Sequence, residues 1–154
     1  MEMISNEEKI TQAVLVSVDT GDYDAEASLA ELKELVKSAG AEPVFTVTQN
    51  LKRPETGTYV GTGKLQEIAD ICKQQEIDLL VFDCELSPTQ IRNIEAETDT
   101  RTIDRTMLIL DIFALRARSK EGKLQVELAQ LKYLMPRLTG KGVAMSRLGG
   151  GIGT

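Results

Sequence analysis

The sequence contains no histidine and no tryptophan, and its 154 residues include only three phenylalanines, three tyrosines and two cysteines. Without histidine, a zinc site and a histidine-based catalytic triad are excluded within this chain, and no residue is assigned to a metal. Cys72 and Cys84 each lie in an apolar pattern, which indicates two reduced, buried thiols of a cytoplasmic protein. Hydrophobic residues make up 42% of the chain, so the predicted core is mostly aliphatic.

The sequence also lacks a long apolar run. No stretch approaches the roughly 20 residues that a transmembrane helix needs, and residues 1–11 are acidic, without the apolar region of a signal peptide. We therefore expect a cytoplasmic protein with no membrane contact.

Charge is distributed unevenly along the chain. The net charge of -6 divides into a balance of -12 for residues 1–115 and +6 for residues 116–154. The charged residues of the second part are Arg116, Arg118, Lys120, Lys123, Lys132, Arg137, Lys141 and Arg147, against Glu121 and Glu127. An acidic body with a basic end suggests that only the end approaches a polyanion. The alternative is a solvated helix face that is basic without a partner.

Short apolar runs alternate with helical patterns over the first two thirds of the chain. The predicted strands are 13–18, 43–48, 78–82 and 101–104, and helices follow each of them. This alternation predicts an α/β fold with a small parallel four-stranded sheet in three layers, helices covering both faces. We assign the α/β subdomain to 13–104 with strand order 2-1-3-4, and a disordered N-terminus to 1–12.

A long helical arm is predicted for residues 105–140. Its seam residues repeat at spacings of four, three, four and three: Leu124, Leu128, Leu131, Met135 and Leu138. Such an a/d repeat favours pairing with a partner helix, as in one half of an antiparallel helical hairpin. Extending the repeat backwards predicts that the helices at 105–118 and 120–138 are nearly continuous, and Pro136 is expected to kink or end the last turn.

Residues 141–154 are basic and rich in glycine, which predicts a loop at the tip of the arm. Glycine lets a backbone approach RNA closely, and Lys141 and Arg147 supply positive charge. The alternative is a disordered linker whose glycines reflect only its lack of structure.

A second candidate site is the segment containing Gly61, Gly63 and Lys64, which resembles part of a phosphate-binding loop. A Walker A loop requires G-x4-G-K-[ST], but Gly57 stands one residue too far from Gly63, and Leu65 replaces the hydroxyl residue. Nucleotide binding here is the minor alternative to a structural turn at the start of a helix.

Three segments of the chain resemble a known protein family. They read YVGTGKLQEI (59–68), IDRTMLILDIFALRARSKEGKLQVELAQLKYLMPRLTG (103–140) and SRLGGGIGT (146–154). Together they closely resemble the N-terminal region of the HflX family of ribosome-associated GTPases. That resemblance implies an α/β subdomain followed by an antiparallel helical hairpin with the glycine-rich segment at its tip, then a second helix and a G domain that binds GTP and Mg²⁺.

The resemblance also implies a function. Family members associate with the large ribosomal subunit and separate stalled ribosomes, so we expect this chain to be a ribosome-binding module that is non-catalytic alone, truncated in the tip before the returning helix and the G domain. The residues expected to contact rRNA are Lys141, Arg147, Gly149, Gly150, Gly151 and Ile152 on the tip, and Lys120, Lys123, Lys132 and Arg137 on the helix. The alternatives are nucleotide binding near Lys64, and a coiled-coil interaction module that self-associates through the leucine seam.

Overall fold

The computed structural model describes residues 9–138. Its elements, in chain order, are β1 (Thr11–Asp19), α1 (Ala25–Ser38), β2 (Ala41–Asn50), α2 (Thr62–Gln74), β3 (Leu79–Phe82), α3 (Pro88–Thr98), β4 (Arg101–Asp104), α4 (Arg105–Arg116), α5 (Lys120–Leu134) and a 3-10 turn (Met135–Arg137). Strand β1 begins two residues before the predicted boundary, inside the segment expected to be disordered. The predicted tip, 141–154, lies outside the described residues.

The four strands form one parallel sheet in the order β2-β1-β3-β4, which confirms the predicted topology. Helices cover both faces of the sheet, so β1 is buried on both sides. Its side chains point alternately to one face and the other. Val14 and Val16 pack in a cluster with Leu65 of α2 and Ile91 of α3. Leu15 belongs to a second cluster, on the other face, with residues of α1 and α4.

Local capping signals place two of the helices where the sequence predicts them. Ser87 and Gln90 form a capping box at the start of α3, with Pro88 in the first turn. Asp104 ends β4 and caps α4, because its Oδ1 accepts the N–H of Met107 at 2.9 Å.

Strand β2 is longer than the predicted 43–48 and forms one edge of the sheet. Its register with β1 shifts between Ala13 and Val14, so that Val44 has no partner in the ladder. This bulge follows Pro43, which donates no hydrogen bond. A bulge and a proline are both usual on edge strands.

The prediction that the last two helices are nearly continuous is wrong. Helix α4 ends at Arg116, Ala117 is extended (φ -66°, ψ 132°), and Ser119 caps α5 by accepting the N–H of Gly122 at 2.9 Å. Near its end, α5 places the hydroxyl of Tyr133 2.6 Å from Asp104, the residue that precedes α4. Helix α5 therefore runs back alongside α4, antiparallel to it, and returns to the body. As expected, the α-helix ends before Pro136, which lies in the 3-10 turn.

Candidate nucleic-acid interface

Four of the five predicted seam residues are exposed along α5 and the turn that follows it, and the fifth, Leu138, is half-buried. Leu124, Leu128, Leu131 and Met135 are between 54% and 64% exposed. The half-buried residues lie on other sides of the helix: Val126, Ala129, Gln130, Tyr133 and Leu134. Since apolar residues occur on both sides, the helix has one apolar face toward the body and a second one that no described residue covers.

A cleft of about 270 Å³ lies between α5, α4 and the β4 edge of the sheet. Its walls are mostly apolar, with the half-buried Arg101 and the buried Asp111 as polar groups of the body side. Burial lowers the pKa of the Arg101 guanidinium, and the carboxylates of Asp111 and Glu95 oppose that shift. Leu131 and Met135 belong both to the seam and to the wall of the cleft, so the two form one continuous apolar surface.

Three of the predicted RNA-contacting residues on the helix are open to solvent. Lys120, Lys123 and Lys132 are exposed, and none of them forms an ion pair with another residue in the range 9–138. Their ammonium groups are therefore available to a polyanion, and their role as RNA contacts stays a prediction.

The fourth predicted contact on the helix, Arg137, has a different environment. It is half-buried, its guanidinium lies 3.8 Å above the ring centre of Tyr133, and its Nε donates to the carbonyl oxygen of Leu86 at 3.0 Å. One of its terminal nitrogens also donates to the carbonyl oxygen of Tyr133 at 3.0 Å. Two of its five N–H donors are thus used within the chain. Its RNA contact is likewise still a prediction.

Asp104 connects the end of the sheet to both terminal helices. Its side chain is fully buried and accepts from the N–H of Leu86, the N–H of Met107 and the hydroxyl of Tyr133. Burial, followed by the neighbouring Asp104 carboxylate, raises the pKa of the Tyr133 phenol well above its usual range. Tyr133 therefore stays a neutral donor at physiological pH.

The contact between Asp104 and Tyr133 was not predicted from the sequence. Tyr133 and Arg137 are four residues apart, on a different side of the helix from the leucine seam. That spacing could have predicted that the two side chains contact each other. Nothing in the sequence indicated that Arg137 would donate a hydrogen bond to the Leu86 carbonyl oxygen.

The residues of the second candidate site lie at the start of α2. Gly61 precedes the helix, and its N–H already donates to Oε1 of Gln49 at 2.9 Å. Lys64 forms an ion pair with Glu67 at 3.3 Å, while a side chain at Gly63 would meet only open space. The structure thus gives two of the three groups a partner within the chain, and nucleotide binding near Lys64 remains a prediction.

Six predicted contacts fall outside the described residues: Lys141, Arg147, Gly149, Gly150, Gly151 and Ile152. The described part of the chain ends at Leu138, which follows the 3-10 turn and lines the apolar cleft. No helix in the described part of the chain is long and apolar enough to cross a membrane.

The chain is thus a parallel α/β unit followed by two antiparallel helices and, in sequence, by a basic, glycine-rich segment. Residues 26–114 match the family described as GTP-binding GTPase N-terminal, and residues 116–154 match the GTP-binding GTPase middle region. The chain belongs to this GTPase family and corresponds to the N-terminal region of the HflX proteins.

Several relatives show the extent of the match. The chain is 54% identical to the GTPase HflX of Alkalihalophilus pseudofirmus, over 94% of this chain and 35% of that protein. It is 50% identical to the GTPase HflX of Escherichia coli, over 92% of this chain and 33% of that protein. The chain therefore spans about a third of the length of these curated relatives.

A solved structure shares the fold. The GTP-binding protein of the archaeon Sulfolobus solfataricus, in complex with GDP, matches with a TM-score of 0.61 and 31% identity, covering 90% of this chain and 41% of that one.

Proposed function

We propose that this chain is the ribosome-binding N-terminal module of an HflX-type GTPase, working in the cytoplasm. Its basic segment docks on the rRNA of the large ribosomal subunit. In this proposal GTP and Mg²⁺ bind to the G domain of an HflX-type GTPase, and residues 1–154 contribute ribosome binding rather than catalysis.

One observation carries the proposal: positive charge is concentrated in residues 116–154 of the sequence, and three lysines of that part lie exposed on α5. Residues 116–154 carry a balance of +6, whereas residues 1–115 carry -12. Lys120, Lys123 and Lys132 are exposed on α5. A phosphate backbone is attracted to this end and repelled by the rest of the body.

The exposed seam of α5 fits the same assignment. Four large apolar side chains of the seam are more than half exposed, and such a contiguous patch marks an interaction surface. We assign it to the second helix of the hairpin and to the G domain, because the chain spans only about a third of its relatives. Self-association through the seam is the competing occupant.

Co-sedimentation with purified large ribosomal subunits tests the proposal at low and moderate salt. We expect binding that weakens as salt increases, because each released counterion contributes to the slope of log K against log[salt]. The charge reversal Lys141→Glu with Arg147→Glu should weaken binding and flatten the slope.

The matched control reverses two exposed lysines of the acidic body, Lys33→Glu with Lys73→Glu, which changes the net charge by the same amount. This control should bind nearly as the unmodified chain does. Binding that ignores salt and survives the reversal of Lys141 and Arg147 would overturn the proposal.

A further inference from the structure

Two side chains at the end of α5 bind two neighbouring points on the body. The Tyr133 hydroxyl donates to Oδ2 of Asp104 at 2.6 Å, and Nε of Arg137 donates to the carbonyl oxygen of Leu86 at 3.0 Å. Asp104 is the last residue of β4, and Leu86 lies in the loop that follows β3. The end of α5 is thereby attached at the carboxyl edge of the sheet.

The two side chains also support each other. The Arg137 guanidinium stacks on the Tyr133 ring at 3.8 Å, and one terminal nitrogen donates to the Tyr133 carbonyl, which the end of the helix would otherwise leave unpaired. A planar guanidinium can stack and donate in two directions at once. A lysine ammonium keeps the charge but offers no plane to stack and no fixed directions for its donors.

The body side of this contact is rigid. Asp104 is fully buried and also accepts the N–H groups of Leu86 and Met107, both at 2.9 Å. Leu86, whose side chain is fully buried, is followed directly by the capping box that starts α3. Both backbone groups of Leu86 are therefore bonded, one to Asp104 and the other to Arg137.

We propose that Tyr133 and Arg137 are positioning residues, which lock the end of α5 to the sheet and so set the direction in which the chain leaves Leu138 toward the glycine-rich segment. This inference rests on the proposed function, since fixing the direction of the chain after Leu138 matters only if the glycine-rich segment binds a defined site on the ribosome. It assigns Arg137 a role different from that of the exposed lysines: Arg137 contributes geometry rather than a phosphate contact. Holding a binding element in place lowers the ordering cost on association.

Hydrogen–deuterium exchange of the full chain tests whether the lock exists. In Tyr133→Phe and in Arg137→Lys, the amides of residues 131–135, 137–138 and 86–87 should exchange about tenfold faster, as expected when one hydrogen bond to a charged group is lost. Amides of β3 should be unchanged. Tyr23→Phe is the matched control, because Tyr23 also donates its hydroxyl, to the Val18 carbonyl at 2.8 Å, at the end of β1, which β3 separates from β4 in the sheet.

Binding to large subunits as a function of salt tests what the lock does. We expect Tyr133→Phe and Arg137→Lys to weaken binding by similar factors, about threefold to tenfold, with the same salt slope as the unmodified chain. A phosphate contact predicts the opposite pattern: Tyr133→Phe without effect, Arg137→Lys nearly neutral, and Arg137→Gln with a slope reduced by about one.

Three results would overturn the inference. Unchanged exchange in both variants would show that no lock holds the helix end. Faster exchange with unchanged affinity for large subunits would show that the contact exists but does not position the glycine-rich segment. The phosphate-contact pattern would show that Arg137 contacts RNA directly. If the unmodified chain does not bind large subunits at all, the proposed function fails, and the exchange experiment still decides whether the lock exists.

Discussion

Asp83 and Arg105 form an ion pair at the carboxyl end of the sheet, with 2.5 Å between Oδ1 of the aspartate and Nη1 of the arginine. The Asp83 side chain is completely shielded from solvent, whereas that of Arg105 is 22% exposed. Arg105 also donates to the hydroxyl of Ser28 at 3.2 Å and pairs with Glu31, both on α1. One guanidinium at the start of α4 thus joins β3 to α1.

Replacing Arg105 by alanine should destabilise the chain by about 3 to 5 kcal/mol, because a fully buried carboxylate would lose its partner. Urea unfolding measures the change. The control is Lys37→Ala, which removes an ion pair with Glu34 whose side chains are 55% and 75% exposed, and which should cost no more than about 1 kcal/mol. Equal losses for the two variants would contradict the structural role of Arg105.

Asp104 should contribute more to the free energy of unfolding than an ordinary helix cap does. Asp104→Ala removes the acceptor of two backbone N–H groups and one hydroxyl in a buried site, and we expect a loss of about 3 to 5 kcal/mol. Asp24→Ala removes only the exposed cap of α1, where Oδ1 accepts the N–H of Ala27 at 3.0 Å, and should cost about 1 kcal/mol. Thermal and urea unfolding of both variants measure the difference, and similar losses would contradict the buried network.

The sheet and its order followed from signals that are local in sequence. Buried β-branched runs, the capping box at Ser87 and the cap at Asp104 each determine structure within a few residues, and right-handed crossovers leave few topologies for four parallel strands. The family resemblance came from the residues themselves, and the match of residues 26–114 confirms it.

The arrangement of α5 could not be read from periodicity. The seam repeat is compatible with one long helix, and only the extended backbone at Ala117 and the capping of α5 by Ser119 divide it. The repeat identified the apolar residues of α5 that lie exposed to solvent. It did not identify the side of α5 that contacts the body through Tyr133. The partners of Tyr133 and Arg137 lie 29 and 51 residues away in sequence, and contacts at that separation leave no periodic pattern.

The seam should contribute little to the stability of this chain. Leu128 is 54% exposed, so Leu128→Glu should change the free energy of unfolding by less than about 0.5 kcal/mol. Leu108 is fully buried, and Leu108→Ala should cost about 2 to 5 kcal/mol. Urea unfolding distinguishes the two, and a large loss for Leu128→Glu would show that the seam packs within the chain.

The same variant separates the possible partners of the seam. If the chain associates with itself through Leu128, sedimentation equilibrium should show a dimer that Leu128→Glu converts to a monomer, since a buried unpaired carboxylate opposes association. If the seam is reserved for the second hairpin helix, the unmodified chain should be monomeric at high concentration. A dimer that survives Leu128→Glu would contradict both assignments.

Stability should fall at alkaline pH because of Cys84. Burial raises the pKa of its thiol, the hydrogen bond with Tyr59 opposes this, and the carboxylate of Asp104 adds to the increase. The native thiol therefore stays protonated, while the thiol of the unfolded chain loses its proton above about pH 8.5. Unfolding then releases a proton, so the free energy of unfolding decreases as pH rises.

Between pH 8.5 and 9.5 the thiol of Cys84 should account for a loss of about 1 kcal/mol. Urea unfolding at the two pH values measures it, with Cys84→Ala as the comparison. The variant is less stable at both pH values because it leaves a cavity, but its stability should fall by about 1 kcal/mol less across this interval than that of the unmodified chain. Identical decreases would contradict the prediction, because they would mean that the thiol ionises as readily in the folded chain as in the unfolded one.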